Sequence, residues 1–209
     1  MNVLEVAQLM DAVYNRRASL TITESISASG MEAHFVKDPG IFVIEGTNSA
    51  EDWWDFNFNI FGYTGTIKGD SGARYHEGFW KHAQLAYNFA KPFRRDIKLV
   101  VGHSLGAASA QIVGPSLEKR TISFASPKPL LRGKAIRPHL VTNYCRDDDL
   151  VCRVPPGIFD GALGFEHIGN VVWLTPEQRN LGEDHRIDKY VELLERNPEL
   201  GQQEIIFSR

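Results

Sequence analysis

The sequence predicts an α/β fold: a mostly parallel central sheet with helices on both faces, in a minimal single-domain form spanning residues 1–209. Three observations predict it. Short apolar runs alternate with segments of helical periodicity from residue 77 onward, the pattern of strands linked by crossover helices. Several of the strand candidates, such as Ile97 to Val101, are apolar almost throughout, as strands covered on both faces must be. One strand-to-helix junction carries Gly102-His103-Ser104-Leu105-Gly106, a spacing suited to a sharp turn that lifts a serine above a sheet.

The elements follow in chain order. Val3, Val6/Ala7, Met10 and Val13/Tyr14 recur at helical spacing, so residues 3–15 read as an amphipathic helix. Packing against the domain is the ordinary use of such a face; lying on a membrane surface is the other. Residues 31–38 and 41–46 read as strands joined at Pro39-Gly40. Residues 60–67 read as a strand weakened by glycine. Phe79/Trp80, Ala83, Ala86/Tyr87 and Ala90 share one face of a helix over 77–91. Strand 97–102, helix 105–117 and strand 120–125 come next. A short crossing at 127–134 leads to strand 138–144 and then to the Asp147-Asp148-Asp149 run. A loop rich in Gly and Pro spans 155–166, a strand 168–174, and a last helix 183–196 begins near His185. There is no internal repeat, low-complexity tract or interdomain linker.

Composition sets bounds on function. The chain is 43% hydrophobic and 23% charged, ordinary values for a chain with one buried core. A net charge of −3 without any basic, aromatic-interleaved cluster argues against a nucleic-acid partner. No apolar run is long enough to span a bilayer. Glu5 and Asp11 come early and no Lys or Arg precedes Arg16, unlike a signal peptide. The expected location is therefore cytoplasmic, or outside the cell by a route without a recognisable signal. Cys145 and Cys152 flank the aspartate run; two reduced thiols fit that setting better than a disulfide. No Cys/His spacing suggests zinc and no glycine-rich loop suggests a phosphate cradle, so no metal or cofactor is expected.

The chemistry concentrates at Ser104. Gly-x-Ser-x-Gly by itself also marks ordinary glycine-rich turns. Here an apolar strand precedes it and small residues, Ala107 and Ala108, follow it, as a tightly packed elbow requires. Gly102 and Gly106 have no Cβ to collide with the neighbouring strand and helix, and the following helix points its N-terminus at the place where negative charge would develop. A serine nucleophile needs a base and an acid, in the order Ser, Asp, His for this architecture. Asp149 and His185 lie downstream in that order. A run of three carboxylates is otherwise usually a solvated loop, and Asp147 or Asp148 could serve in place of Asp149. His167 rivals His185. His34, His76, His82 and His139 read as structural or exposed.

Several motifs together resemble the class 3, fungal-type lipases of the α/β-hydrolase fold. Ile44-Glu45-Gly46-Thr47, with Asp52-Trp53 beyond it, resembles their oxyanion loop; His76-Glu77-Gly78-Phe79 resembles their His-x-Gly-Phe helix start. Residues 102–108 match their Gly-His-Ser-Leu-Gly-Gly/Ala-Ala, and Ser123-Phe124-Ala125-Ser126-Pro127-Lys128 resembles their Thr-Phe-Gly-Ser-Pro-Arg. Asp149-Leu150-Val151-Cys152-Arg153-Val154-Pro155-Pro156 resembles their Asp-x-Val-Pro-Arg-x-Pro-Pro, and His185 before Tyr190 resembles their late histidine. The resemblance runs from about residue 33 to 190. It implies Ser104 as nucleophile, His185 as base and Asp149 as acid, with His167 in a non-catalytic segment. It also implies an oxyanion hole from the Leu105 N–H and from Thr47, although Thr47 also suits a plain turn. Trp53 and Trp54, in a cluster with Phe56, Phe58 and Phe61, are candidate substrate-binding residues at an acyl rim or lid, or else core. His103 joins them as a substrate-binding candidate by its position beside Ser104, although adjacency turns its side chain away from the serine. Two departures stand out: Glu45 replaces the usual basic residue before Gly-Thr, so the charge pairing there must differ, and Cys152 replaces the proline of Val-Pro-Arg.

The implied activity is a cofactor-free carboxylic-ester hydrolase, lipase or esterase, acting on an acyl ester, with a lipid–water interface as a potential partner surface. An acyltransferase with the same triad is the alternative reading. A silent binding module on the same fold is a third, and it leaves the joint presence of the three residues unexplained.

Overall fold

The computed structural model describes residues 1–16, 21–46, 65–131, 133–155, 164–179 and 185–207. Thr47, Trp53, Trp54, Phe56, Phe58 and Phe61 lie outside the described residues, as does most of the Gly/Pro-rich loop expected at 155–166.

Helix α1, Val3–Tyr14, forms where the apolar spacing predicted it. Its start is fixed by a capping box: the Asn2 side chain accepts from the Glu5 N–H, and the Glu5 carboxylate accepts from the Asn2 N–H, each at 2.9 Å. Such a cap contributes about 1 kcal/mol. Strands β1 (Ile22–Ala28), β2 (Met31–Val36) and β3 (Ile41–Ile44) then run as an antiparallel meander. The short pieces β4 (Thr66–Lys68) and β5 (Arg74–His76) lead into α2, Glu77–Ala90. Strand β6 (Leu99–His103), helix α3 (Leu105–Leu117), strand β7 (Arg120–Phe124), the two-residue β8 (Leu130–Leu131) and β9 (Val141–Arg146) carry the centre of the chain. Strands β10 (Phe165–Glu166) and β11 (Asn170–Leu174), then helices α4 (Ile187–Arg196) and α5 (Pro198–Gly201), complete it.

Among the described residues the main sheet has the order β1-β2-β3-β6-β7-β9-β11. From β3 onward every neighbouring pair is parallel. The strands alternate as the pleat demands. Val43 and Val101 face one layer with Val6, Met10, Tyr190 and Leu194, from α1 and α4. Phe42, Ile44 and Val100 face the other, with Ala83, Ala86, Ala110 and Val113 from α2 and α3. Helices therefore cover both faces, as the continuous apolar runs predicted. Among the described residues no helix is long and apolar enough to cross a membrane.

Three local expectations change. The strand expected over 138–144 starts at Val141, because Pro138 opens a short 3-10 turn over Pro138–Leu140 whose backbone cannot join the ladder. Only the end of the strand expected over 60–67 is described; it appears as β4, in a second, antiparallel sheet of order β10-β8-β5-β4 that the sequence reading does not contain. The sequence suggests no element over 22–28, yet β1 forms the sheet edge there, with its Thr, Glu and Ser residues exposed.

Candidate active site

Ser104 sits between β6 and α3 with φ 57° and ψ −126°, a strained conformation for a residue with a side chain. Its neighbours make the turn sterically feasible. A Cβ on Gly102 would run into the backbone of Gly106 and Ala107, and one on Gly106 into the carbonyls of Ile44 and Glu45. The turn is held by the Ser104 N–H donating to the Phe124 carbonyl at 3.1 Å, from the adjacent strand β7. Leu105 is the first residue of α3, so its N–H is one of the helix-end donors that lack an intrahelical acceptor.

Ser104, His185 and Asp149 come together in one line. Ser104 Oγ lies 2.7 Å from His185 Nε2, and His185 Nδ1 lies 2.9 Å from Asp149 Oδ2. The carboxylate can only accept, so Nδ1 carries the proton and Nε2 presents its lone pair to the serine hydroxyl. Asp149 is 4% exposed and further bonded: Tyr190 Oη donates to Oδ2 at 2.8 Å and the Val151 N–H to Oδ1 at 2.9 Å. Burial works to raise the Asp149 pKa. The neighbouring His185 charge and the hydrogen bonds from His185, Tyr190 and Val151 outweigh it, and the net shift is down.

The three aspartates separate by partner. Asp148 is buried in a two-pronged pair with Arg146, Nε to Oδ1 and Nη2 to Oδ2, both at 3.0 Å. Asp147 accepts from Arg179 Nη2 at 3.1 Å. Asp149 alone of the three is bonded to His185. His167 points elsewhere, its Nε2–H donating to the Cys152 carbonyl at 3.0 Å. Cys145 and Cys152 are both free and buried.

Gly46 passes directly over the serine: a Cβ there would come within 2.7 Å of Ser104 Cβ and 2.9 Å of the His103 carbonyl. This is where the chain leaves β3 for Thr47. The charge at this exit is supplied in reverse of what the fungal-type pattern implies. Glu45 is 1% exposed and takes a hydrogen bond of 3.1 Å from Arg16, at the end of α1, and one of 2.6 Å from His34 Nε2. Arg16 also pairs with Glu32. Glu32, His34 and Glu45 bring potential ligand atoms within 4.8 Å of one another, but the guanidinium already lies on both carboxylates. We therefore read the group as an ion-pair cluster.

His103 corrects an expectation. It does not face a substrate. Its ring is 5% exposed, with Nδ1 3.0 Å from Tyr14 Oη and Nε2 2.9 Å from the His185 carbonyl. Burial, with the nearby His185 charge, pushes its pKa down to about 3, so the ring is neutral. In the sequence Tyr14 shows only as part of an apolar helix face, and Tyr190 only as a landmark of the family resemblance. Their hydroxyls were a signal in plain view, since a buried tyrosine usually finds a polar partner.

No family model and no curated protein matches the sequence. Solved structures do. A fungal lipase in complex with an inhibitor is 18% identical with a TM-score of 0.59, over 82% of this chain and 78% of that one. The triacylglyceride lipase of Rhizomucor miehei is 17% identical at a TM-score of 0.57, over 82% and 78%. A triacylglycerol lipase from Penicillium expansum is 15% identical at 0.59, over 81% and 77%. The chain has the α/β-hydrolase fold in the form that these fungal lipases take.

Proposed function

We propose that the chain is a single-domain serine carboxylic-ester hydrolase, a lipase or esterase that works through an acyl-enzyme. The observation that supports this most is the hydrogen-bonded line Ser104–His185–Asp149 on a positive-φ elbow. Ser104 Oγ attacks the ester carbonyl carbon while its proton passes to His185 Nε2. The charge that develops on the carbonyl oxygen is met by the Leu105 N–H and by Thr47. His185 returns the proton to the departing alcohol as the carbon–oxygen bond breaks. A water, deprotonated by the same nitrogen, then releases the acid and restores the serine. Asp149 holds the Nδ1–H tautomer and stabilises the imidazolium; Tyr190 holds Asp149. Trp53 or Trp54 contributes to the acyl-binding rim, and the triacylglycerol lipases among the structural neighbours favour an acylglycerol ester.

The test is hydrolysis of p-nitrophenyl esters from short to long acyl chains, with wild type and Ser104→Ala in parallel. Serine-dependent turnover is expected, with a loss on the order of 10⁴–10⁶-fold in the variant. Turnover equal in the two proteins on every chain length, with no labelling of Ser104 by a fluorophosphonate, would overturn the reading.

A further inference from the structure

The hydrogen bonds behind Ser104 form a second line whose directions can all be assigned. The His185 carbonyl can only accept, so His103 Nε2 carries the proton of the 2.9 Å bond. The ring is buried and neutral, so Nδ1 is an acceptor, and the Tyr14 hydroxyl donates to it at 3.0 Å. The same hydroxyl oxygen accepts the Gly46 N–H at 2.6 Å. One residue of α1 therefore touches the exit of β3 and, through a single imidazole, the backbone of His185. Edge-on packing of the Tyr14 and His103 rings, 5.4 Å apart at 88°, fixes the geometry. Nothing in the proposed chemistry consumes these groups, yet all three bonds lie within 3.0 Å.

We infer that Tyr14 is a positioning residue for both halves of the reaction centre: its hydroxyl holds the Gly46 N–H where the chain passes over Ser104, while His103 passes the same constraint to the backbone of His185. The inference rests on the hydrolase reading above. It differs from a packing role in what it predicts. Without the hydroxyl, the Gly46 N–H loses its acceptor and His103 Nδ1 its donor, so the chain over Ser104 and the base lose their common reference together. Both acylation and deacylation need that pair, and misplacement by about 1 Å can cost roughly 100-fold. Ground-state binding of the acyl chain uses neither group.

The experiment compares wild type with Tyr14→Phe, which keeps the ring, and with His103→Gln, which keeps a donor in reach of the His185 carbonyl. Active enzyme is first counted by fluorophosphonate titration, so misfolded protein does not enter. Expected for Tyr14→Phe is a fall in kcat of about 10- to 100-fold with KM within about threefold. A boronic acid that mimics the tetrahedral adduct should weaken by the same factor as kcat. His103→Gln should lose less than Tyr14→Phe, and the double variant no more than Tyr14→Phe alone, since one line is being cut. Active wild type with Tyr14→Phe within twofold in kcat would overturn the inference and leave the hydrolase reading intact. A matched loss of kcat and rise of KM, with boronate affinity unchanged, would overturn it too. A wild type that neither turns over esters nor labels would overturn the hydrolase reading, and the inference with it.

Discussion

The two sides of Ser104 are built on different principles. On one side the bonded residues each sit in a short sequence motif, although the chain between them is long: Asp149 follows β9, and His185 precedes α4 with Tyr190 one turn in. On the other side the exit of β3 is held by Tyr14, Arg16, Glu32, His34 and His103, from α1 and its C-terminal end, β2 and β6. The first side depends on which residue types occur in a motif. The second depends on how α1 docks.

Asp149→Asn breaks the first side most cleanly, because it removes the charge that fixes the His185 tautomer. We expect kcat to fall about 10⁴-fold with the protein still folded, read by steady-state kinetics beside thermal melting. Gly46→Ala tests the second side by steric means. Its Cβ has 2.7 Å to Ser104 Cβ, so the strand exit must lift; a loss of about 100-fold in kcat is expected, with destabilisation of about 1–3 kcal/mol by denaturant titration.

Acid should loosen the scaffold at its buried imidazoles. Burial lowers the pKa of His82, bonded to Ser109 between α2 and α3, to about 4, and that of His103 to about 3. Both are below the unfolded value of about 6.5, so between those limits the unfolded chain binds more protons. Stability is therefore full above about pH 6.5 and declines by a few kcal/mol as pH falls toward 4. His82→Asn should flatten the melting temperature across that window. A slope unchanged in the variant would assign the acid lability to other groups.

Smaller effects sharpen the contrast. Tyr190→Phe strips the Arg146 N–H of its acceptor and Asp149 of one donor, both buried; about 1–3 kcal/mol of stability should go. The loss in kcat should be smaller than for Asp149→Asn, since His185 and Val151 still hold the carboxylate. Arg16→Met should cost least, about 1 kcal/mol, because its head group is half exposed, and a rise in salt should reduce the difference further.

Legibility in the sequence followed the same division. The elbow, the helices and the parallel strands could be read because each is fixed by local spacing: glycines where a Cβ has no room, apolar residues wherever both faces are covered. The order Asp149 then His185 could be read as well, but the sorting of Asp147, Asp148 and Asp149 could not, since it depends on Arg146 and Arg179 arriving from β9 and from beyond β11. His103 was misplaced for a related reason. Adjacency to Ser104 says the ring points away from the nucleophile but not what it meets there. Strand β1 is hard to read from sequence because its half-buried Ile22 and Ile26 pack against opposite faces of the sheet and most of its other residues are polar, so no alternation shows.

The packing of α1 against α4 has a consequence for how the molecule comes into being. Val3 is bonded to Gln203 and Ile205 to Met1, while Val6 and Met10 share a core with Tyr190 and Leu194. Helix α1 therefore meets the last of its partners only nearly two hundred residues further along the chain. Loop closure over that span is slow compared with forming the β6–α3–β7 unit, whose contacts are between neighbours. Assembly should then run from the middle outward. Pulsed hydrogen exchange during refolding would show the elbow protected early and Gly46 only when α1 docks.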